Sequence, residues 1–257
     1  MKSSDPYFQS KDLSQSAIGL LLECSALYKV WQDDTEERKE TEALLFGRMF
    51  HKLTLEPKDF GNEFAVKGLN LSTKPGKEWK SGLAKGVSIV KEDDYGTALQ
   101  MAEAVRDHPQ AKYLFKDYVA EQPIYWTRPD GIKCKAKPDM KSMVSGFRYC
   151  VDVKTTESVN PAAIQRSIAK YHYYRQAAWY LDGLERVGNP CEAFLFIFVE
   201  KTYPYLVTMC QLDEEALAKG REDCERAVEI LRNCRRTGLY PCYTRNIETI
   251  SLPRWAV

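Results

Sequence analysis

The chain has no long apolar run. Its longest strongly apolar stretch, Phe194 to Val199, falls far short of the roughly 20 residues that span a bilayer. The opening residues, Met1 to Lys11, are polar and do not read as a signal peptide, so the cytoplasm is the expected compartment. Net charge is also nearly absent: 37 Lys and Arg face 36 Asp and Glu, leaving +1. Proteins that coat nucleic acid non-specifically are more basic than this. This argues against a histone-like or single-strand-coating role, and any nucleic-acid contact must come from local clusters. There is no CxxC pair and no Cys/His cluster of zinc spacing among the eight cysteines. In this context scattered cysteines read as small buried hydrophobes. A loosely spaced iron–sulfur set of Cys24, Cys224, Cys234 and Cys242 stays open as an alternative. No internal repeat and no low-complexity linker divides the chain, so one domain over residues 1–257 is expected. What is present, 44% hydrophobic and 28% charged residues in 257, is enough for a large folded core and excludes wholesale disorder.

The periodicity predicts a helix from Ser14 to Trp31, with Ser14 or Ser16 as its cap and Ile18, Leu21, Leu22, Ala26 and Leu27 as its apolar stripe. Asp33 to Glu42 reads as a solvated connection or helix start. Glu42 to Leu55 reads as a helix stopped by Pro57. Gly61 to Gly86, rich in Gly, Lys and Ser, reads as a long surface excursion. Glu92 to Arg106 is helical. Three strands follow, at Glu121–Trp126, Ile132–Met140 and Phe147–Lys154, separated by turn signals such as Pro129-Asp130-Gly131. Asn160 and Pro161 open a helix, and another runs from Tyr171 to Val187. A buried strand at Cys191–Val199 forms a hairpin with Tyr203–Met209, and Asp213–Thr237 is a long amphipathic helix. This order describes a mixed α+β fold: a central mixed β-sheet flanked by helices.

The chemistry concentrates between Lys133 and Lys154. Alternation in Val151-Asp152-Val153-Lys154 turns the two valines to the core and Asp152 with Lys154 to the other face. Lys137-Pro138-Asp139 ends the preceding strand, with Pro138 at a margin where no ladder donor is needed. If the strands are neighbours, Asp139, Asp152 and Lys154 converge. Two close carboxylates repel, and a hard divalent cation such as Mg²⁺ relieves that repulsion. Such a cation lowers the pKa of a bound water and stabilises charge on a phosphodiester. The lysine would orient the water or offset the charge, and the Val153 carbonyl offers a further oxygen. The competing reading is a surface Asp–Lys pair on an exposed strand.

Several other residues carry paired readings. His51 ends an apolar stripe on the Glu42–Leu55 helix, either as a metal ligand or as a satisfied core histidine. Gln176 and Tyr180, spaced i, i+4, share a helix face and can bond a phosphate or a base edge, or simply pack. Glu121 is either a water-mediated ligand or a strand-end acid. Lys133, Lys135 and Lys137 alternate onto one strand face, either as a phosphate track or as a solvated surface.

Asp139 followed by Asp152-Val153-Lys154 resembles the PD-(D/E)xK nuclease signature in its DxK form. Leu13–Tyr28 (LSQSAIGLLLECSALY), Phe46–Pro57 (FGRMFHKLTLEP), Glu121–Asp139 (EQPIYWTRPDGIKCKAKPD), Val151–Thr156 (VDVKTT), Gln176–Gly183 (QAAWYLDG) and Ile250–Ala256 (ISLPRWA) extend the likeness along nearly the whole chain. Together they resemble the nuclease domain of the exodeoxyribonuclease VIII (RecE-type) family. The resemblance implies a Mg²⁺-dependent exonuclease, with Mn²⁺ able to substitute. It would digest double-stranded DNA from the 5′ end and leave a 3′ overhang for a RecT-like single-strand annealing partner. It implies a ring-shaped homo-oligomer, a tetramer, that threads DNA. It implies that His51, Asp139, Asp152 and the Val153 carbonyl hold the metal and that Lys154 is catalytic. Glu121, Gln176 and Tyr180 would support them, and Ser14 and Ser16 would lie near the DNA strand end. Family members can carry a long extension ahead of this domain. Without one, the chain reads as a near-minimal nuclease of phage or prophage type. A related nuclease with an iron–sulfur cluster and other polarity, or a non-cleaving DNA-end binder, are the alternatives.

Overall fold

The computed structural model describes residues 5–33, 40–70, 72–244 and 247–256. Four helices open the chain: α1 (Pro6–Gln9), α2 (Gln15–Glu23), α3 (Ser25–Asp33) and α4 (Glu42–Leu55). A short helix α5 (Phe60–Glu63) leads to strand β1 (Phe64–Lys67), helix α6 (Lys74–Ser81), strand β2 (Ser88–Lys91) and helix α7 (Glu92–Asp107). Strands β3 (Tyr118–Ala120), β4 (Ile124–Thr127), β5 (Lys133–Ala136), β6 (Met140–Val144) and β7 (Phe147–Thr156) follow. Helices α8 (Pro161–Lys170) and α9 (Tyr173–Arg186), strands β8 (Ala193–Glu200) and β9 (Val207–Gln211), and helix α10 (Glu214–Thr237) complete the order.

The central sheet runs β3-β6-β7-β8-β9. All its pairs are antiparallel except β7 with β8. That parallel pair needs a crossover, and α8 with α9 supplies it. The sheet is mixed and helix-flanked, as the sequence pattern predicts. Two apolar layers sandwich it. On one face Cys150, Phe194, Phe196 and Phe198 pack against α2, α9 and α10. On the other, Val151, Val153, Ile197 and Val199 pack against α4 and α7. Each of the three phenylalanines is at most 2% exposed and contributes on the order of 1.5–3 kcal/mol by burial. β7 is therefore a rigid, doubly covered platform.

Three expectations are corrected. The Ser14–Trp31 helix is two helices, because Cys24 adopts an extended conformation (φ −165°, ψ 120°). The Cys24 thiol and the Ser25 hydroxyl both donate to the Pro241 carbonyl, so a contact with the distant tail fixes the break. The Ile132–Met140 strand is also two. β5 pairs with β4 in a separate two-stranded sheet and β6 joins the central one, since the Lys137-Pro138-Asp139 segment leaves the ladder between them. Gly61–Gly86 is not a bare excursion. It carries β1, which pairs in parallel with β2, and α6, whose N-cap Thr73 accepts from the Gly76 amide. The expected connection over Asp33–Glu42 lies largely outside the described residues. No helix among the described residues is long and apolar enough to cross a membrane.

Candidate metal and catalytic centre

The register Met140↔Val151 carries Asp139 to the point where β6 stops and β7 continues, paired only with β8 on its other side. The Val153 amide would be orphaned there, and a buried unpaired N–H is costly. Asp139 Oδ2 accepts from it at 2.8 Å, so the carboxylate takes the place of a strand partner. Backbone N–H and C=O of one residue leave a strand by the same edge, so the Val153 carbonyl also faces this open corner.

One further acid and a histidine close it. His51, on the last turns of α4, brings Nδ1 to 3.4 Å from Asp139 Oδ2. Glu121 sits in the left-handed region at φ 51°, and its amide donates to the Asp139 carbonyl at 2.9 Å. A non-glycine residue held there is strained, and such residues gather at functional sites. Ligand atoms of His51, Glu121 and Asp139 lie within 4.8 Å of one another. Burial and the nearby Asp152 carboxylate push the Asp139 pKa up to about 7.

Asp152 points to the opposite face of β7 and is only 1% exposed. The alternation of side chains holds as expected, but the second face is not solvent: α9 roofs it. A lone carboxylate buried so deeply is strongly destabilised. Gln176 Nε2 donates to Asp152 Oδ1 at 2.5 Å, and Lys154 Nζ lies 2.6 Å from Oδ2. No other hydrogen-bond partner reaches Oδ2. Burial opposes the Lys154 charge, but the Asp152 and Asp139 carboxylates outweigh it and hold its pKa above the ordinary lysine value. The Lys154 ammonium also lies 4.9 Å from the centre of the Tyr173 ring, a partner with no distinctive signal in its aromatic-rich stretch. The surface Asp–Lys reading is thereby excluded.

The expected DNA-contacting residues divide. Lys135 is not on a phosphate track. It is 4% exposed, and its Nζ donates to the carbonyls of Tyr7, at 2.5 Å, and Ser10, at 2.8 Å. Lys137 is also engaged, 2.9 Å from the Glu121 carboxylate and 3.1 Å from Asp5. It supports the centre instead of reaching outward. Gln176 acts on Asp152 as just described. Tyr180 lies a turn further along the same face, buried beside Phe194 at 6.0 Å between ring centres. Ser14 caps α2 by accepting from the Ala17 amide at 3.3 Å and is itself buried, whereas Ser16 is exposed. The Cys24 and Cys224 thiols donate to the carbonyls of Pro241 and Arg175. Among the described residues, the one metal-competent group of three such side chains contains no cysteine.

Imidazole nitrogen with carboxylate oxygens is a donor set suited to a hard or borderline divalent cation. The raised Asp139 pKa and the singly partnered Asp152 oxygen both fit such an ion. This arrangement of carboxylates and lysine where β6 leaves the central strand β7 of a mixed sheet is that of the PD-(D/E)xK superfamily. The chain belongs to the PDDEXK-like domain family of unknown function (DUF3799), whose model matches residues 14–253. No curated protein sequence matches it. The crystal structure named "Putative exonuclease" from Eubacterium rectale superposes with a TM-score of 0.65 at 16% identity, covering 98% of this chain and 97% of that one. At that identity the likeness establishes the fold. A second structure, SSO0001, aligns with a TM-score of 0.35 at 13% identity over 84% of this chain and 76% of that one, too distant to carry argument.

Proposed function

We propose that the protein is a divalent-metal-dependent exonuclease of the RecE type. It degrades double-stranded DNA 5′→3′ and leaves 3′ overhangs for a single-strand annealing partner. The observation that carries this reading is the junction of β6 and β7. There the Asp139 carboxylate stands within ligand distance of His51 and Glu121, beside a buried Asp152–Lys154 pair. Mg²⁺ is the proposed ion and Mn²⁺ its substitute, held by His51, Asp139, Asp152 and the Val153 carbonyl, with Glu121 in support. When bound, it supplies a lowered water pKa and charge stabilisation at a phosphodiester.

The chain's own groups do the rest. Gln176 fixes Asp152 in one orientation. Asp152 in turn holds the Lys154 ammonium charged and aimed, ready to orient an attacking water or offset charge on the phosphate. Lys137 restrains Glu121. The assembly we propose is a ring-shaped tetramer threaded by DNA.

Linear duplexes labelled at either the 5′ or the 3′ end, with a closed circle as control, test the activity. Early metal-dependent loss of the 5′ label with an intact circle is expected. Early loss of the 3′ label would overturn the polarity, and a cut circle would make the enzyme an endonuclease.

A further inference from the structure

A cleft of about 690 Å³ opens where the start of α9 meets α2 and α10. Three basic side chains line it alongside the acids Asp223 and Glu23: Arg175 from the start of α9, Lys219 and Arg226 from α10. His172 is in the left-handed conformation, φ 55°, and its Nδ1 lies 3.2 Å from the Tyr174 hydroxyl. That hydroxyl donates to Asp223 at 3.0 Å. Asp223 is further occupied by Lys219 at 3.1 Å and Arg226 at 3.3 Å. The other acid of the cleft, Glu23, accepts from the Tyr243 hydroxyl at 3.2 Å.

Arg175 differs from these. It is only 6% exposed, its Nε has no hydrogen-bond partner, and no carboxylate pairs with it among the described residues. A buried guanidinium without a counter-ion is unfavourable unless something supplies the anion. The guanidinium fork matches phosphate geometry, and the N-terminus of the 14-residue α9 adds partial positive charge. Close packing holds the cleft in shape, because Gly220 of α10 sits so tightly on α9 that a Cβ there would stand 2.8 Å from the Ala178 Cβ and against the Tyr174 carbonyl. The next residue after Arg175 is Gln176, which holds Asp152. α9 thus carries a cleft residue and the residue that holds Asp152 at consecutive positions.

We infer that this cleft is a phosphate-binding site that grips the DNA strand, with Arg175 as its central ligand. The inference rests on the nuclease reading for the identity of the phosphate's carrier. That phosphate is either an internal phosphodiester or a terminal monoester.

The test combines three readings on the same preparations. Thermal unfolding is followed with and without inorganic phosphate. Duplex binding is followed by fluorescence anisotropy in EDTA, using 5′-phosphoryl and 5′-hydroxyl ends. Metal-dependent cleavage is measured alongside. Phosphate should raise the wild-type melting temperature and leave that of Arg175→Gln unmoved. Arg175→Gln should bind duplex at least tenfold more weakly, with a salt slope lower by about one. Arg236→Gln, distant on the last turn of α10, should behave as wild type. Equal losses on both duplexes assign an internal phosphodiester, and a loss confined to the 5′-phosphoryl duplex assigns the terminal group. Ser16→Glu places a carboxylate at the cleft and should abolish the phosphate response. It carries the test if Arg175→Gln fails to fold. A wild type indifferent to phosphate, or variants that respond as wild type does, would overturn the inference. A phosphate response through Arg175 in a protein that neither binds nor cuts DNA would instead sink the nuclease reading and leave the site standing.

Discussion

Asp139 serves two purposes at once. It closes the β7 ladder through the Val153 amide and offers a carboxylate to the proposed metal site. Its pKa, raised to about 7 by burial and by Asp152, means that the folded state favours the protonated form. That stabilising contribution is full below the ordinary carboxylate range and is lost as pH rises through about 7. In EDTA, wild type should therefore lose stability relative to Asp139→Asn between pH 4 and 8, as read by urea denaturation. A constant difference would contradict the assignment. Metal binding must displace that proton, so apparent Mg²⁺ affinity should fall below pH 7 by up to about tenfold per unit, measurable by calorimetry. The Asp152–Lys154 pair obeys different arithmetic. Removing one partner of a buried pair costs roughly 3–5 kcal/mol, and replacing both by apolar groups costs far less. Lys154 is partly open, so Lys154→Ala should lose about 2–3 kcal/mol along with all cleavage. The Asp152→Leu/Lys154→Met double variant should recover most of that stability and no activity. That Asp139, Asp152 and Lys154 converge is legible from spacing and alternation. The burial of Asp152 is not, because alternation reports which side a residue faces and not what covers that side.

At the scale of elements, the sequence marks local signals well and distant contacts poorly. α4 has its cap Thr41 and the stop Pro57, α7 has three acids in its first turn and the stop Pro109, and their observed bounds, Glu42–Leu55 and Glu92–Asp107, follow the periodicity closely. Asn160 caps α8 through the Ala162 amide as its position suggests. The break at Cys24 has neither Gly nor Pro to announce it, since the Pro241 carbonyl imposes it from more than two hundred residues away. β1 is hidden for a similar reason: its partner β2 lies beyond an intervening helix. Lys135 was misread because its alternation matches a solvated face, while α1 and the segment after it cover that face and accept its protons. The α9–α10 contact gives an element-scale prediction. Gly220→Ala forces a Cβ against the α9 backbone and should destabilise by about 1–3 kcal/mol, read as a lower urea midpoint at unchanged slope.

At the scale of the molecule, a net charge of +1 leaves any DNA binding to local clusters, and the basic side chains of the cleft beside α9 form the cluster we propose. The tail beyond α10 displays Ile247, Ile250, Leu252 and Trp255, all exposed. Apolar side chains grouped in this way are the kind of surface a neighbouring subunit covers. Light scattering should then give the mass of four chains, and removal of the apolar character by Ile250→Ser/Trp255→Ser should lower it. A monomer at all concentrations would contradict the ring. The central claim, that the β6–β7 corner is a metal-dependent nuclease centre, is tested most directly by digesting linear duplex DNA with wild type, Asp139→Asn and Asp152→Asn in EDTA, Mg²⁺ and Mn²⁺. The account predicts nucleotide release by wild type only with metal, and a loss of at least a hundredfold in either variant, each still folded by circular dichroism. Release in EDTA, or full activity in a purified Asp152→Asn protein, would contradict it.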